Sequence, residues 1–153
     1  MKSIKLQITN LERSLHELFR PSDQGIYVNI EDVIRLNKEI RTGIESLYPA
    51  EVSDVNEEAA LCAVLLQAYG QLMYQDDRDE KRKQSLLDRS ARLLDRTPSS
   101  LLRCRLLVYC YGEVYEPILA DEAHAIMNSW QDHELTEEEL ELIETLRVLE
   151  ECK

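Results

Sequence analysis

Glycine and proline are scarce, with four of each in 153 residues. An all-β chain with many tight turns needs more of both, so that class is disfavoured. Apart from tyrosine, aromatic residues are almost missing, with one Trp and one Phe. Long apolar runs are missing too. The longest, 59–66, ends at Gln67, well short of the roughly 20 residues of a membrane-spanning helix. The first residues, Met1-Lys2-Ser3-Ile4-Lys5-Leu6-Gln7, lack the apolar centre of a secretory signal. Basic residues are outnumbered, 18 Lys and Arg against 30 Asp and Glu, for a formal net charge of -12. Wrapping a nucleic acid takes Lys and Arg on phosphates, so direct nucleic-acid binding is not expected. The acid surplus suits a basic partner or simple solubility.

Chemistry-bearing motifs are equally sparse. The four cysteines, Cys62, Cys104, Cys110 and Cys152, include no C-x-x-C pair, which argues against a zinc ribbon or a thioredoxin-type redox site. The first three lie in apolar runs, where cysteine acts as a small hydrophobe; reduced thiols and a cytoplasmic location are the reading. Gly25, Gly43, Gly70 and Gly112 stand alone, so no phosphate loop is present, and no serine nucleophile elbow occurs. The histidines are His16, His124 and His133. Asp121-x-x-His124 has the spacing of a carboxylate–histidine metal pair, but a four-helix di-iron site needs a second copy and two further carboxylates. The sequence reads as non-enzymatic, with no cofactor and no metal.

What is present is helical periodicity. At 44% apolar and 31% charged residues, the chain reads as one globular domain. Helices are predicted over about 3–19, 30–48, 54–74, 80–96, 98–115, 117–131 and 137–151. Ile4, Ile8, Leu11, Leu15 and Leu18 form the first stripe. Pro21 to Gly25 break it, and Asn29 is the expected cap of the second helix, with Val28 and Val33 as its staple. Asp76 to Asp79 read as a turn, and Thr97-Pro98 as the start of the fifth helix. Arg82, Arg89, Arg92 and Arg96 are placed mostly outward. Thr136, with Glu139 completing a capping box and Leu135 and Leu140 as staple, is the clearest start. The third and fifth helices are apolar all round and therefore central.

A weak internal repeat links these two. Leu65-Leu66-Gln67-Ala68-Tyr69-Gly70 resembles Leu107-Val108-Tyr109-Cys110-Tyr111-Gly112 at a 42-residue offset that Cys62 and Cys104 share. The fold class is all-α, built of antiparallel αα-hairpins. Tetratricopeptide-like stacking and an irregular bundle both remain open.

Charge is unevenly spread. Residues 78–105 hold nine bases and four acids, while 132–151 hold nine acids and one base, Arg147. The two stretches either complement each other or leave an acidic face for a basic partner. Tyr111 and Tyr115 share a helical face beside Glu113 and Glu116; they serve either core packing or a tyrosine-rich contact patch.

Five strings carry a resemblance: Leu36-Asn37-Lys38-Glu39, Leu47-Tyr48-Pro49, Glu57-Glu58-Ala59-Ala60-Leu61-Cys62, Tyr109-Cys110-Tyr111-Gly112-Glu113-Val114-Tyr115 and Glu122-Ala123-His124-Ala125-Ile126. In these and their spacing the chain resembles the UpxZ-type proteins over 11–151, with the residues before Leu11 outside the pattern. The resemblance implies regulation rather than catalysis. Proteins of that type are encoded in capsular polysaccharide operons of Bacteroides-type bacteria and antagonise the NusG-like (UpxY-type) transcription antiterminators of other such loci. The implied partner is that antiterminator, free or within the transcription elongation complex. A surface that mimics the polymerase hairpin on which NusG-like domains dock would block it. Glu137, Glu138, Glu141 and Glu144 form the first candidate surface, and Tyr111, Glu113, Tyr115 and Glu116 the second. A generic helical-repeat adaptor is the alternative; it predicts a groove lined from equivalent repeat positions. A small metal-dependent or cysteine enzyme is a third reading.

Overall fold

The computed structural model describes residues 3–19, 30–98 and 100–151, with Phe19 described by its backbone only. The expected break at Pro21 to Gly25, the Asn29 cap with its Val28 staple, and Cys152 lie outside the described residues. Seven α-helices occur among them: α1 Ile4–Phe19, α2 Ile30–Leu47, α3 Val55–Gln71, α4 Asp77–Leu94, α5 Leu101–Val114, α6 Pro117–Asn128 and α7 Glu137–Glu151. A 3-10 turn, Ser129–Asp132, follows α6. No strand is present among the described residues.

Each helix packs on the next, and the alternate helices α1, α3, α5 and α7 pack side by side. By contrast, α2, α4 and α6 make no backbone approach to one another among the described residues. The result is two layers, with α3 and α5 in the middle of the continuous one. Their composition fits that place: nine residues of α3 are buried against four of α4. One core cluster joins α1 to α4 with Leu106 and Cys110 of α5. A second uses the other side of α5 (Cys104, Leu107, Val108, Tyr111) with α6, Trp130, Leu142 and Leu146. Burying a leucine contributes about 2 kcal/mol, so α5, which serves both clusters, holds the two halves together.

Two glycines set close approaches. A Cβ on Gly43 would lie 3.0 Å from Leu11 Cδ1, and one on Gly112 would lie 3.3 Å from Leu149 Cδ1. Their lack of a side chain lets α1 settle on α2 and α7 on α5.

The ends of α4 and α5 differ from the sequence expectation. Asp76 and Asp79 form a capping box rather than a turn: each backbone N–H donates to the other carboxylate at 3.0 Å. Helix α4 therefore starts at Asp77, not near residue 80. Thr97 does not open α5. Its buried Oγ1 donates to the Leu93 carbonyl at 2.8 Å and closes α4 instead. Ser100 caps α5, accepting from the Arg103 N–H at 3.3 Å. Helix α3 ends at Gln71 rather than near residue 74, and α6 ends at Asn128 rather than 131. The readings of the α3 start and of the α7 capping box hold. Asp54 accepts from the Glu57 N–H at 2.9 Å. Thr136 Oγ1 accepts from the Glu139 N–H at 3.2 Å, and Glu139 Oε1 from the Thr136 N–H at 2.8 Å.

Candidate functional site

The continuous layer of helices encloses a trough. Its narrow section, 420 Å³, lies between α1 and α7, with Gln67 of α3 and Arg105 and Tyr109 of α5 among its lining. The section opens into a wider one of 970 Å³ over α3 and α5, walled by α7. His16, Gln67, Tyr109, Glu137 and Glu141 line both. Helices α1 and α7 make no backbone contact. His16 spans the gap, with Nε2 3.8 Å from Glu137 Oε1 and Nδ1 3.7 Å from Glu141 Oε2.

The 42-residue offset in the sequence reappears in the floor. Gln67 and Tyr109 line it at equivalent positions, as do Gly70 and Gly112. Tyr69 and Tyr111, the next equivalent pair, are both fully buried.

Carboxylates dominate the rim. The wide section is lined by Glu113, Glu137, Glu141 and Glu144, with His16 as its one basic residue. The narrow section adds Glu12 and Glu138 against Arg13 and Arg105. Glu12 pairs with Arg105 at 3.3 Å, yet its carboxyl is held above the usual range. Burial is the main cause, Arg105 opposes it, and the like charges of Glu138 and Glu141 add to it. Burial also pushes the Tyr109 hydroxyl upward.

The candidate residues separate. Glu137 and Glu138 are exposed, and Glu141 is half-buried on the trough wall. Glu144 lies on the same wall and pairs with Arg147. The tyrosine patch divides. Tyr111 is 1% exposed and belongs to the second core cluster, so it offers a partner no direct surface. It supports Tyr115 through an edge-to-face contact, ring centroids 5.2 Å apart. Tyr115 lines the end of the trough with a left-handed backbone, φ 53°. That costly conformation for a non-glycine residue ends α5 and lets the chain turn within two residues into α6. Glu113 sits 3.6 Å from Lys83 of α4, and Glu116 is exposed at the start of α6. Sequence reasoning passed over Gln67, Gly70 and Tyr109. Their signal was present in the repeat, which brings equivalent positions to one face.

The basic stretch is mostly consumed inside the fold. Arg82 reaches Glu45 at 3.1 Å and lies 4.5 Å over the Tyr48 ring. Arg89 reaches Glu58, and Arg103 pairs with Glu122 at 2.7 Å while donating to the Leu94 and Thr97 carbonyls. Of the four arginines read as mostly outward, Arg82 and Arg89 are thus half-buried and paired, while Arg92 and Arg96 are exposed. His124 meets Glu150 of α7 at 2.8 Å, not Asp121. Burial pushes the thiols up, Cys104 to about 12 and Cys110 to about 11, which makes them poor nucleophiles. Among the described residues no group of three or more His, Cys, Asp or Glu is placed to hold a metal ion, and no helix is long and apolar enough to cross a membrane.

These features define an all-helical protein with a preformed, acid-rimmed trough. Residues 8–112 match the UpxZ family of transcription anti-terminator antagonists. The crystal structure of a transcription anti-terminator antagonist UpxZ from Bacteroides uniformis is similar over 98% of this chain and 94% of that one, with 38% identity and a TM-score of 0.85. No curated protein matches the chain. The chain belongs to the UpxZ family of transcription anti-terminator antagonists, a family of regulators.

Proposed function

We propose that this protein antagonises the NusG-like (UpxY-type) transcription antiterminators of other capsular polysaccharide loci by binding them directly, with α7 at the interface. The observation that carries the reading is a charge imbalance between faces. Most bases of 78–105 are paired within the fold, whereas among the described residues the carboxylates of Glu137 and Glu141 pair with no Lys or Arg and meet only the imidazole of His16, at 3.8 and 3.7 Å. A surface of this kind steers a basic partner and rejects acidic ones. Antiterminator held on it is kept from the elongation complex. Calorimetric titration against purified UpxY-type antiterminators at two salt concentrations tests this. Micromolar or tighter binding to some, weakened by salt, is expected. Absence of binding to every antiterminator, free or with polymerase, would overturn it.

A second reading, a helical-repeat adaptor for a peptide segment, is favoured by the floor itself, where equivalent repeat positions line one groove. It predicts no affinity for NusG-like proteins, so the same titration separates the two.

A further inference from the structure

The acidic residues of α7 can meet a partner in two ways. The partner can clasp α7 from outside as a ridge, or it can place a segment of its own inside the trough. The geometry favours the second. Glu137, Glu141 and Glu144 recur at helical spacing on the trough side of α7, beside Leu140 and Val148, which are 52% and 42% exposed. Apolar side chains left open between carboxylates need an occupant that is apolar on one face and cationic at its edges. The partners of the two flanking acids, Lys83 for Glu113 and Arg147 for Glu144, do not line the trough. In the wide section an incoming Lys or Arg therefore meets carboxylates with no Lys or Arg in the lining, Arg13 and Arg105 standing in the narrow section. The floor is open where it must be. A Cβ on Gly70 would meet nothing within 4 Å, and Gly70 is exposed and lines the wide section. Along α5 the lining runs from Arg105 to Tyr115, about 15 Å at 1.5 Å per residue. That length takes about three turns of a helix.

We propose that the trough seats one cationic amphipathic helix of a partner protein, its apolar stripe over Gly70, Tyr109 and Tyr115 and its Lys or Arg residues against Glu137, Glu141 and Glu144. This deepens the reading of direct antagonism and rests on it for the partner's identity, but not for the chemistry of the site. The occupant's cations take the place of His16 between Glu137 and Glu141.

The test uses a plug in the floor. Gly70→Trp puts a large side chain into the wide section and leaves every carboxylate in the sequence, and Gly70→Ala adds a methyl that fits the open space. Both lie on an exposed helical position, so circular dichroism should match the parent and the unfolding midpoint should equal or exceed it. The first probe is a synthetic Leu/Lys amphipathic peptide of about four helical turns, with its Leu/Glu counterpart as control. The expected result is binding of the Leu/Lys peptide with a gain of helicity, unchanged in Gly70→Ala and weakened at least about tenfold in Gly70→Trp. A Leu/Lys peptide that does not bind, or binds Gly70→Trp as well as the parent, overturns the proposal. The second probe is the full-length UpxY-type antiterminator. Loss of its binding in both Gly70→Trp and the Glu137→Lys, Glu138→Lys, Glu141→Lys variant supports the proposal. Loss in the Lys variant alone overturns seating in the trough and leaves direct antagonism standing. If the peptide behaves as expected while no antiterminator binds the parent, the partner assignment fails and the site chemistry stands.

Discussion

Among the described residues, neither α2 and α4 nor α1 and α7 approach through their backbones, and the charged side chains that bridge each pair use charge in opposite ways. Between α2 and α4, Asp79 is fully buried, with Arg41 Nη1 and Nη2 on its two oxygens at 2.7 and 3.0 Å. Arg41 also donates to the Tyr74 carbonyl at 3.1 Å, and Arg78 and Arg82 converge on Glu45. Every charge there has a partner of opposite sign within hydrogen-bonding reach. Across the α1–α7 gap the imidazole of His16 stands nearly 4 Å from two carboxylates, and further acids stand nearby. Fixed charge with a good partner is architecture; charge left without one is available to something else. A buried pair punishes removal of one member strongly, while solvated carboxylates can be reversed with little effect on folding.

That contrast can be broken first at its strong end. Asp79→Ala removes the partner of Arg41 and half of the α4 capping box, and should destabilise by about 3 kcal/mol, read from urea unfolding. The same pair gives a pH dependence. Hydrogen bonds from Arg41 hold the Asp79 carboxyl well below the usual range, with the Asp76 N–H assisting against burial. Its contribution is therefore complete above the unfolded value of about 3.9 and is lost only as pH falls through the lower folded value. The acid limb of the stability curve should flatten in Asp79→Ala.

Next in size is the trough wall. Gly112→Val forces a branched side chain against Leu149, displacing α7 from α5, for about 1–2 kcal/mol and a weaker grip on any trough ligand. Thr136→Ala removes the cap of α7, costing about 1 kcal/mol, and the loss should appear as faster amide exchange in the first turn of α7. A smaller effect involves His133, whose ring nitrogens meet Glu139 at 2.9 Å and Asp132 at 2.6 Å. These carboxylates, Glu139 first, raise its proton affinity. A raised histidine stabilises fully below its unfolded value of about 6.5 and ceases to do so as pH rises through the folded value. Urea midpoints at pH 6 and pH 8 should therefore lie closer together in His133→Gln than in the parent. Smallest of all for folding is Glu137→Lys, Glu138→Lys, Glu141→Lys, which should leave the unfolding midpoint in place while abolishing antagonism. A large loss of stability in that variant would erase the distinction between the two regions.

Helix identity was legible because apolar spacing and caps are local. The Ile8, Leu11, Leu15 stripe and the Thr136–Glu139 box needed no knowledge of neighbours, and the residues matched to the UpxZ family, 8–112, contain in full three of the five strings that carried the resemblance. The misreadings arose where a local motif had two uses. Thr97 before Pro98 resembles a helix start, yet its hydroxyl turned back to Leu93 because burial left it no solvent. Asp76 and Asp79 resemble a turn because the capping-box pattern has Glu or Gln at the third position, and here the shorter Asp takes that place. Tyr111 and Tyr115 share a helix face, but α6 and α7 cover the first and leave the second at the trough's end.

By itself the sequence determined an acidic, all-helical chain with two central apolar helices, a capped acidic last helix and no clustered catalytic motif. Those properties follow from residue type and spacing along one chain. Only the tertiary structure decided which charges are satisfied. The pairing of Arg82 with Glu45 and of Asp79 with Arg41 spans more than thirty residues of sequence, and so does the opening of the trough between α1 and α7. Electrostatic complementarity and concavity are properties of distance in space, which periodicity along the chain does not encode.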